Sequence, residues 1–392
     1  MSSTAESRLQ DLTVSNTRLH YMDNLRALAM LAGVFFHGAL AYSPMLHDLW
    51  PAADTQQSPV VDLISWFTHL FRMPLFFLIA GFFVAYLVQK HGMADMLKNR
   101  ALRILLPLII FLPLCIWAVI APLLSAVASV HAKSPVMEMI VTAMANPGTP
   151  PPPPTTMHLW FLYNLVFFCI FTWVLRYVNW QWLRAYFNQI TPALFLALFP
   201  LFLVPALLSV AAPLPAPDSF LPQLWSFGFF GLFFALGYWV FSTENFIDRF
   251  KSYAFMLLIM SAGLYVVFYW LIPKPFSVVP PSLESWKKVV VSLCEAYISV
   301  WMSLVCLVYG KSYLNFHNRV MRLLSDSSYW IYIIHLPIIF ALQYPMMDKN
   351  WSLLTKYSAT MTVTLAVGVL SYLLLVRWTP IGWMLNGRKR IK

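Results

Sequence analysis

Long apolar runs separated by short polar segments dominate this sequence. An α-helix needs about 20 apolar residues to cross the roughly 30 Å hydrocarbon core of a bilayer, and most of the runs have that length. The pattern therefore predicts an all-α, polytopic integral membrane protein with about ten transmembrane helices. The predicted spans are residues 25–45, 63–88, 102–127, 157–178, 190–210, 221–241, 253–271, 289–309, 327–344 and 357–378.

Composition agrees with this class. The 392 residues are 60% hydrophobic and only 10% charged, which is too much apolar surface for one soluble core. The net charge of +11 would suggest nucleic acid as a partner of a soluble protein, but here Lys and Arg gather between the apolar runs. Membrane lipids are therefore the expected partner, and nucleic acid is not. All four cysteines lie inside apolar runs, which favours small core residues over disulfides.

The distribution of positive charge predicts the topology. With a cytoplasmic amino terminus, the cytoplasmic segments receive eighteen Lys and Arg residues and the opposite side receives six. We therefore expect both termini in the cytoplasm, as a segment over residues 1–24 and a basic tail over 379–392 that flank a membrane domain over 25–378. The far-side connection 128–156 is rich in proline, and two interpretations stay open: a plain connector, or a stiff lid over an outward-facing cavity.

The first predicted span carries an arginine and a histidine on one helical face. Arg26 and His37 are eleven residues apart, so on an α-helix they are rotated by only about 20° and separated by about 16 Å. His37 then lies near the middle of the membrane, where an ionisable side chain indicates a functional site by default. Asp23 is too far from His37 to orient it, and we expect it to pair with Arg26 or a neighbouring cation.

The other polar residues in the predicted spans suggest a path across the membrane. We place arginines at its cytoplasmic end, histidines in the middle and a second group at its outer end, with Glu295 about two turns into the eighth span. For most of these residues the alternative is structural, as interfacial anchors or helix contacts. The cytoplasmic group is Arg26, Arg100 and Arg103, the middle pair is His37 and His335, and the outer group is His69, Arg72, His158 and Trp160. We expect the outer group and Glu295 to bind substrate, with His69 and Arg72 on the side of the acceptor.

Five short motifs follow one another from Asp23 to His335. They are Asp23-x-x-Arg26 with His37, the stretch MPLFFLIAGFF at 73–83, Arg100-x-x-Arg103 leading to Pro107, HLWFL at 158–162, and SYWIYIIH at 328–335. In this order they resemble membrane-bound acyltransferase family 3. The stretch 69–73 before the two phenylalanines is most similar to its glucan biosynthesis protein C group. Ala80 stands where the family commonly carries serine before the glycine.

The resemblance implies an enzyme of the bacterial inner membrane that transfers an acyl group, succinyl in the similar group, from cytoplasmic acyl-CoA to a hydroxyl of a periplasmic glucan. No tightly bound cofactor or metal is expected. Arg100 and Arg103 would bind the phosphates of CoA with Arg26 at the entrance, because guanidinium groups suit such oxyanions. His37 would be the general base, and His335 would polarise the carbonyl or complete a proton path.

Other functions would use similar residues. An O-acetyltransferase acting on another envelope polysaccharide would need the same base and arginines. A proton-coupled transporter or flippase would also line a path with histidines and Glu295, but it would need no arginine pair suited to a nucleotide. The residues do not specify an oligomeric state.

Overall fold

The computed structural model describes residues 20–146, 148–150, 152–182, 185, 189–243, 245–277 and 283–387. Most of the predicted amino-terminal segment, the last five residues of the tail, and Pro147 and Pro151 of the proline-rich connection lie outside these ranges. The described chain is helical and forms no β-strand, although Thr155 and Ser219 make a single antiparallel bridge. The all-α prediction is confirmed.

Thirteen α-helices, in the described ranges, build the structure. They are α1 (His20–Ala39), α2 (Pro59–Arg100), α3 (Leu106–Ser129), α4 (Pro135–Ala145), α5 (Trp160–Leu175), α6 (Pro192–Leu198), α7 (Val204–Leu208), α8 (Leu224–Ser242), α9 (Ala254–Leu271), α10 (Ser285–Tyr313), α11 (Arg319–Met347), α12 (Leu353–Ser371) and α13 (Pro380–Asn386).

Eight helical segments of the described chain are long and apolar enough to cross a membrane. One of them, Pro59–Ser129, has 71 residues because a π-turn at Ala101–Leu105 joins α2 to α3, and it covers the second and third predicted spans. The fifth predicted span corresponds to Pro192–Leu208, which is apolar but too short for this set. A multi-pass membrane protein is therefore supported, while ten spans and the side of the termini stay predictions.

The proline-rich connection contains a helix that the sequence pattern did not predict. Helix α4 begins after Ser134, whose hydroxyl accepts from the Met137 amide and donates to the Pro51 carbonyl. Just before it, the Asp348 carboxylate at the end of α11 accepts from the amides of His131 and Ala132, and these bonds lower the pKa of Asp348. The connection is thus attached at its start to two other loops.

Prolines inside the helices create hydrogen bonds between helices. A proline has no N–H, so the carbonyl four residues before it loses its partner within the helix and must find another one in a membrane. Three such carbonyls bind side chains of other helices. Pro74 frees the Leu70 carbonyl, which accepts from the Ser299 hydroxyl at 2.6 Å. Pro107 frees the Arg103 carbonyl, which accepts from the Tyr329 hydroxyl at 2.8 Å. Pro337 frees the Ile333 carbonyl, which accepts from Nε2 of His158 at 3.0 Å.

The closest approach of two long helices depends on glycine. Helices α2 and α8 meet where Gly81 faces the backbone of Phe234 and Gly237 faces the backbone of Leu78. A Cβ atom at either glycine would overlap a carbonyl oxygen of the opposite helix. Small residues permit this kind of backbone contact, which is a main source of helix association in membranes. This contact holds α2, the helix that carries His69 and Arg72, against the rest of the bundle.

We expect Gly81→Ala and Gly237→Ala to destabilise the protein, each by about 1–3 kcal/mol or more, because the opposing backbone must move to admit the methyl group. Thermal unfolding of the detergent-solubilised variants measures this. Gly263→Ala on α9 is the matched control, since a Cβ atom there meets no atom within 4 Å. A Tm of the Gly81 variant equal to that of the control would contradict this account of the contact.

Candidate active site

A cavity of about 550 Å³ lies at one end of the helix bundle. Three connections contribute to its wall, those between α1 and α2, between α7 and α8, and between α9 and α10. Along α1 it extends from His37 back to Ala29, about 12 Å. Its ionisable or aromatic lining residues are Phe36, His37, Trp50, Trp66, His69, Arg72, Phe76, His158, Trp160, Phe161, Asp218, Phe276, Tyr332 and His335.

Two histidines in this cavity form a direct hydrogen bond. Nδ1 of His37 and Nε2 of His335 are 2.8 Å apart, and their rings are nearly parallel at 5°. Nδ1 of His335 is 2.6 Å from the carbonyl oxygen of Tyr332, which can only accept, so this nitrogen carries the proton. In neutral His335, Nε2 then accepts from Nδ1–H of His37. Nε2 of His37 is left with a free lone pair, the form that a general base requires.

Two more histidines of the cavity wall are held by backbone carbonyls. Nε2 of His158 donates to the Ile333 carbonyl at 3.0 Å, and Nε2 of His69 donates to the Leu214 carbonyl at 3.0 Å. In each neutral ring Nδ1 is then an acceptor, and it has no partner among the described residues. The rings of His158 and His335 are 5.2 Å apart. The two carbonyl bonds therefore fix the orientation of both rings in the cavity wall, and the Nδ1 atom of each ring is buried.

These four histidines do not form a metal site. No group of three or more His, Cys, Asp or Glu side chains in the described ranges is placed to hold a metal ion. The ring arrangement suits proton transfer and hydrogen bonding instead.

The loop after α1 packs against His37. Trp50 of this loop stacks on His37, with ring centres 6.3 Å apart. Two buried carboxylates attach the loop. Asp62 accepts from the Ser43 hydroxyl and the Met45 amide, and Asp54 forms an ion pair with Lys356 of α12 at 2.7 Å. Lys356, one of the six far-side charges of the predicted topology, is fully buried.

Glu295 lies behind the cavity and does not line it. Its carboxylate is 1% exposed and accepts from the amide of Leu214 at 2.9 Å, without a cation at ion-pair distance in the described part of the chain. The carbonyl of the same Leu214 accepts from His69. Glu295 therefore acts on the wall of the cavity through one residue of the α7–α8 connection. Contact of Glu295 with substrate stays a prediction.

The opposite end of the bundle carries the predicted arginine group. Asp23 and Arg26 form the expected ion pair at 3.3 Å, and Arg26 interacts electrostatically with both Arg100 and Arg103. Neither Arg100 nor Arg103 has a carboxylate at ion-pair distance in the described ranges. Three guanidinium groups with one carboxylate between them form a site that favours an anion.

The family of the chain follows from a match over most of its length. The acyltransferase domain model of family 3 matches residues 19–373, which include both the histidine cavity and the arginine group. The chain belongs to the acyltransferase 3 family. It is 23% identical to the glucans biosynthesis protein C of Salmonella typhi, with 97% of each chain covered. It is 22% identical to the protein of that name from Shigella dysenteriae serotype 1, with 96% of each covered. No solved structure matches the chain.

In this acyltransferase the predicted order along the path needs one correction. His69, Arg72 and His158 do not form a separate outer group, because they line the same cavity as His37 and His335. Trp160 lines it too. His158 lies in a 3₁₀ turn at Met157–Leu159 that precedes α5, and its imidazole reaches the Ile333 carbonyl of α11.

Sequence reasoning missed several residues of the site. Trp50, Trp66 and Tyr332 line the cavity, and Leu214 binds both His69 and Glu295. A signal existed for one contact only: Pro337 lies two residues after His335 and four after Ile333, so a free carbonyl at Ile333 was predictable. The others depend on loops that no periodicity describes.

We expect Glu295→Gln to keep activity close to that of the parent and Glu295→Ala to lose much of it. The Gln amide oxygen can still accept from the Leu214 amide, whereas alanine leaves that N–H unpaired and His69 less well held. Acyl transfer and Tm should be measured for both variants. Ser303→Ala, which removes a buried hydrogen bond within the same helix, is the control. If Gln is as damaging as Ala, the charge of Glu295 matters and the positioning role is wrong.

Proposed function

We propose that this protein is an O-acyltransferase of the bacterial inner membrane that moves a succinyl group from cytoplasmic acyl-CoA to a hydroxyl of a periplasmic glucan. The observation that carries the proposal is the His37–His335 pair in a cavity, with Nε2 of His37 free. The family supports the acyl transfer, and the names of the relatives support a glucan as the acceptor.

The histidine pair provides the base for the reaction. A glucan hydroxyl oxygen attacks the thioester carbonyl carbon while Nε2 of His37 takes the hydroxyl proton. The resulting imidazolium keeps its Nδ1–H bond to His335, which holds the ring in place as the charge develops. The carbon–sulfur bond then breaks, and the proton on Nε2 passes to the leaving sulfur. The products are the glucan ester and free CoA thiol.

The cavity wall suits a polyhydroxylated acceptor. His37, His69 and His158 line the cavity, and the free lone pair on Nε2 of His37 can accept from a sugar hydroxyl. Trp50, Trp66 and Trp160 line the same cavity, and indole faces can cover the apolar faces of sugar rings. The connections that form this wall are periplasmic in the predicted topology, the side on which a periplasmic glucan arrives.

The donor would approach from the arginine end. Arg100 and Arg103 lack carboxylate partners within the described ranges, so they can take the phosphates of CoA. The cavity reaches along α1 to Ala29, one helical turn from Arg26. Pantetheine is long and narrow, and following α1 it would bring the thioester from this end to His37.

We expect His37→Ala to lower acyl transfer by roughly 10²- to 10⁴-fold, the usual cost of removing a general base. His335→Ala should cause a smaller loss, because the base remains and only its orientation is lost. Transfer of label from radiolabelled succinyl-CoA to glucan measures both effects. The control is His91→Ala, since His91 is exposed on α2. Near-normal product from folded His37→Ala protein would exclude this mechanism.

The double variant Arg100→Ala with Arg103→Ala tests the donor site. Each lost charge-assisted contact is worth about 1.5–3 kcal/mol, so the apparent KM for acyl-CoA should rise at least tenfold and that for glucan should stay unchanged. Lys98→Ala removes an exposed positive charge of the same helical turn and is the control. An effect confined to the glucan KM would mean that the donor does not enter at this end.

A further inference from the structure

Arg72 is a buried cation without a counter-charge. Its side chain is part of the cavity wall, and the residue is 6% exposed. Its Nη1 donates to the Ala32 carbonyl at 3.4 Å, a long bond, and its Nε has no partner in the described ranges. No carboxylate in those ranges lies at ion-pair distance. Asp218, which also lines the cavity, accepts instead from the Thr155 hydroxyl.

Lys356, another deeply buried cation, does have a carboxylate partner. Lys356 is fully buried and donates to both oxygens of Asp54, at 3.0 and 2.7 Å. A buried charge without such a partner is costly, and proteins keep one mainly where function requires it. The guanidinium of Arg72 has five N–H groups, of which the single bond to Ala32 uses one. Arg72 can therefore bind an anion that the described part of the chain does not supply.

The position of Arg72 connects this anion to the reaction. Its guanidinium lies over the ring of Phe36, with Cζ 4.2 Å from the ring centre. Phe36 precedes His37, and their ring centres are 5.6 Å apart. Arg72 also interacts electrostatically with His37 and His335. An anionic group bound at Arg72 therefore belongs to a molecule whose other end can reach the base.

We propose that Arg72 selects the acyl group by binding the terminal carboxylate of a dicarboxylic acyl chain, while His37 acts at the thioester end of the same chain. This inference rests on the proposed acyl transfer and assigns Arg72 to the donor, whereas its place in the sequence predicted the acceptor side. A neutral sugar brings no counter-charge to a buried guanidinium. A carboxylate does, and it can accept two parallel N–H bonds from arginine.

Arg72→Met is a variant that should fold. It removes an unpaired buried charge and keeps an apolar chain of similar length, so the Tm of the free protein should stay level or rise. Arg72→Lys keeps the charge without the fork of donors. Thr68→Val, one turn earlier on α2, removes only an intrahelical hydrogen bond and is the matched control.

The test compares succinyl-CoA with acetyl-CoA, which lacks the carboxylate. We expect the parent to prefer succinyl-CoA in kcat/KM. Arg72→Met should lower the ratio of kcat/KM for succinyl-CoA to that for acetyl-CoA by roughly ten- to a hundredfold, while Arg72→Lys keeps part of the preference. The Thr68→Val control should behave as the parent. Equal losses with both donors, or an unchanged preference in Arg72→Met, would overturn the proposal.

Binding separates this inference from the proposed function. In the inactive His37→Ala background, the rise in Tm with succinyl-CoA should exceed that with acetyl-CoA, and Arg72→Met should remove the difference. If the parent transfers neither acyl group to glucan, the proposed function fails, but this binding difference still decides the role of Arg72. If the two donors stabilise the His37→Ala protein equally, Arg72 does not bind the carboxylate.

Discussion

The requirement that backbone polar groups find partners away from water governs how this bundle is built. Prolines inside helices violate the requirement locally, and three of the freed carbonyls are satisfied by side chains from other helices. The result is a set of specific cross-links between helices. One of them, made by the Ile333 carbonyl, binds His158 of the candidate active site. The proline in α11 therefore fixes the orientation of a histidine in the cavity wall.

The candidate functional residues lie in two groups at opposite ends of the bundle. Three guanidinium groups gather at one end, and four histidines with Arg72 gather around a cavity at the other. Helix α1 joins them, with Arg26 near its start and His37 near its end. A substrate that spans the two ends needs an anionic head and a narrow chain, whereas the cavity is wide and aromatic. This difference between the two ends suits the two substrates of the proposed reaction, which would meet at His37.

The sequence predicted the contacts that depend on helix geometry, but not those that depend on the paths of the loops. Helical periodicity placed Arg26 and His37 on one face, and comparable depth predicted that His37 and His335 would be close. It could not predict that His69 and Glu295 meet through Leu214, because the α7–α8 connection has no period that fixes its path. The ion pairing of buried cations could not be predicted either. Lys356 pairs with Asp54, whereas Arg72 has no acid partner among the described residues, and the sequence around each residue does not reveal this difference.

Two hydrogen-bonded histidines within a membrane could form the first links of a proton wire, and such a wire would dissipate the gradient that the cell maintains. Here the chain of donors ends at His335, because its Nδ1 faces the carbonyl of Tyr332, which cannot take up a proton and pass it on. A proton taken up at Nε2 of His37 is therefore not relayed through this pair beyond His335. The Tyr332 carbonyl both fixes the tautomers of the two histidines and ends proton transfer along them.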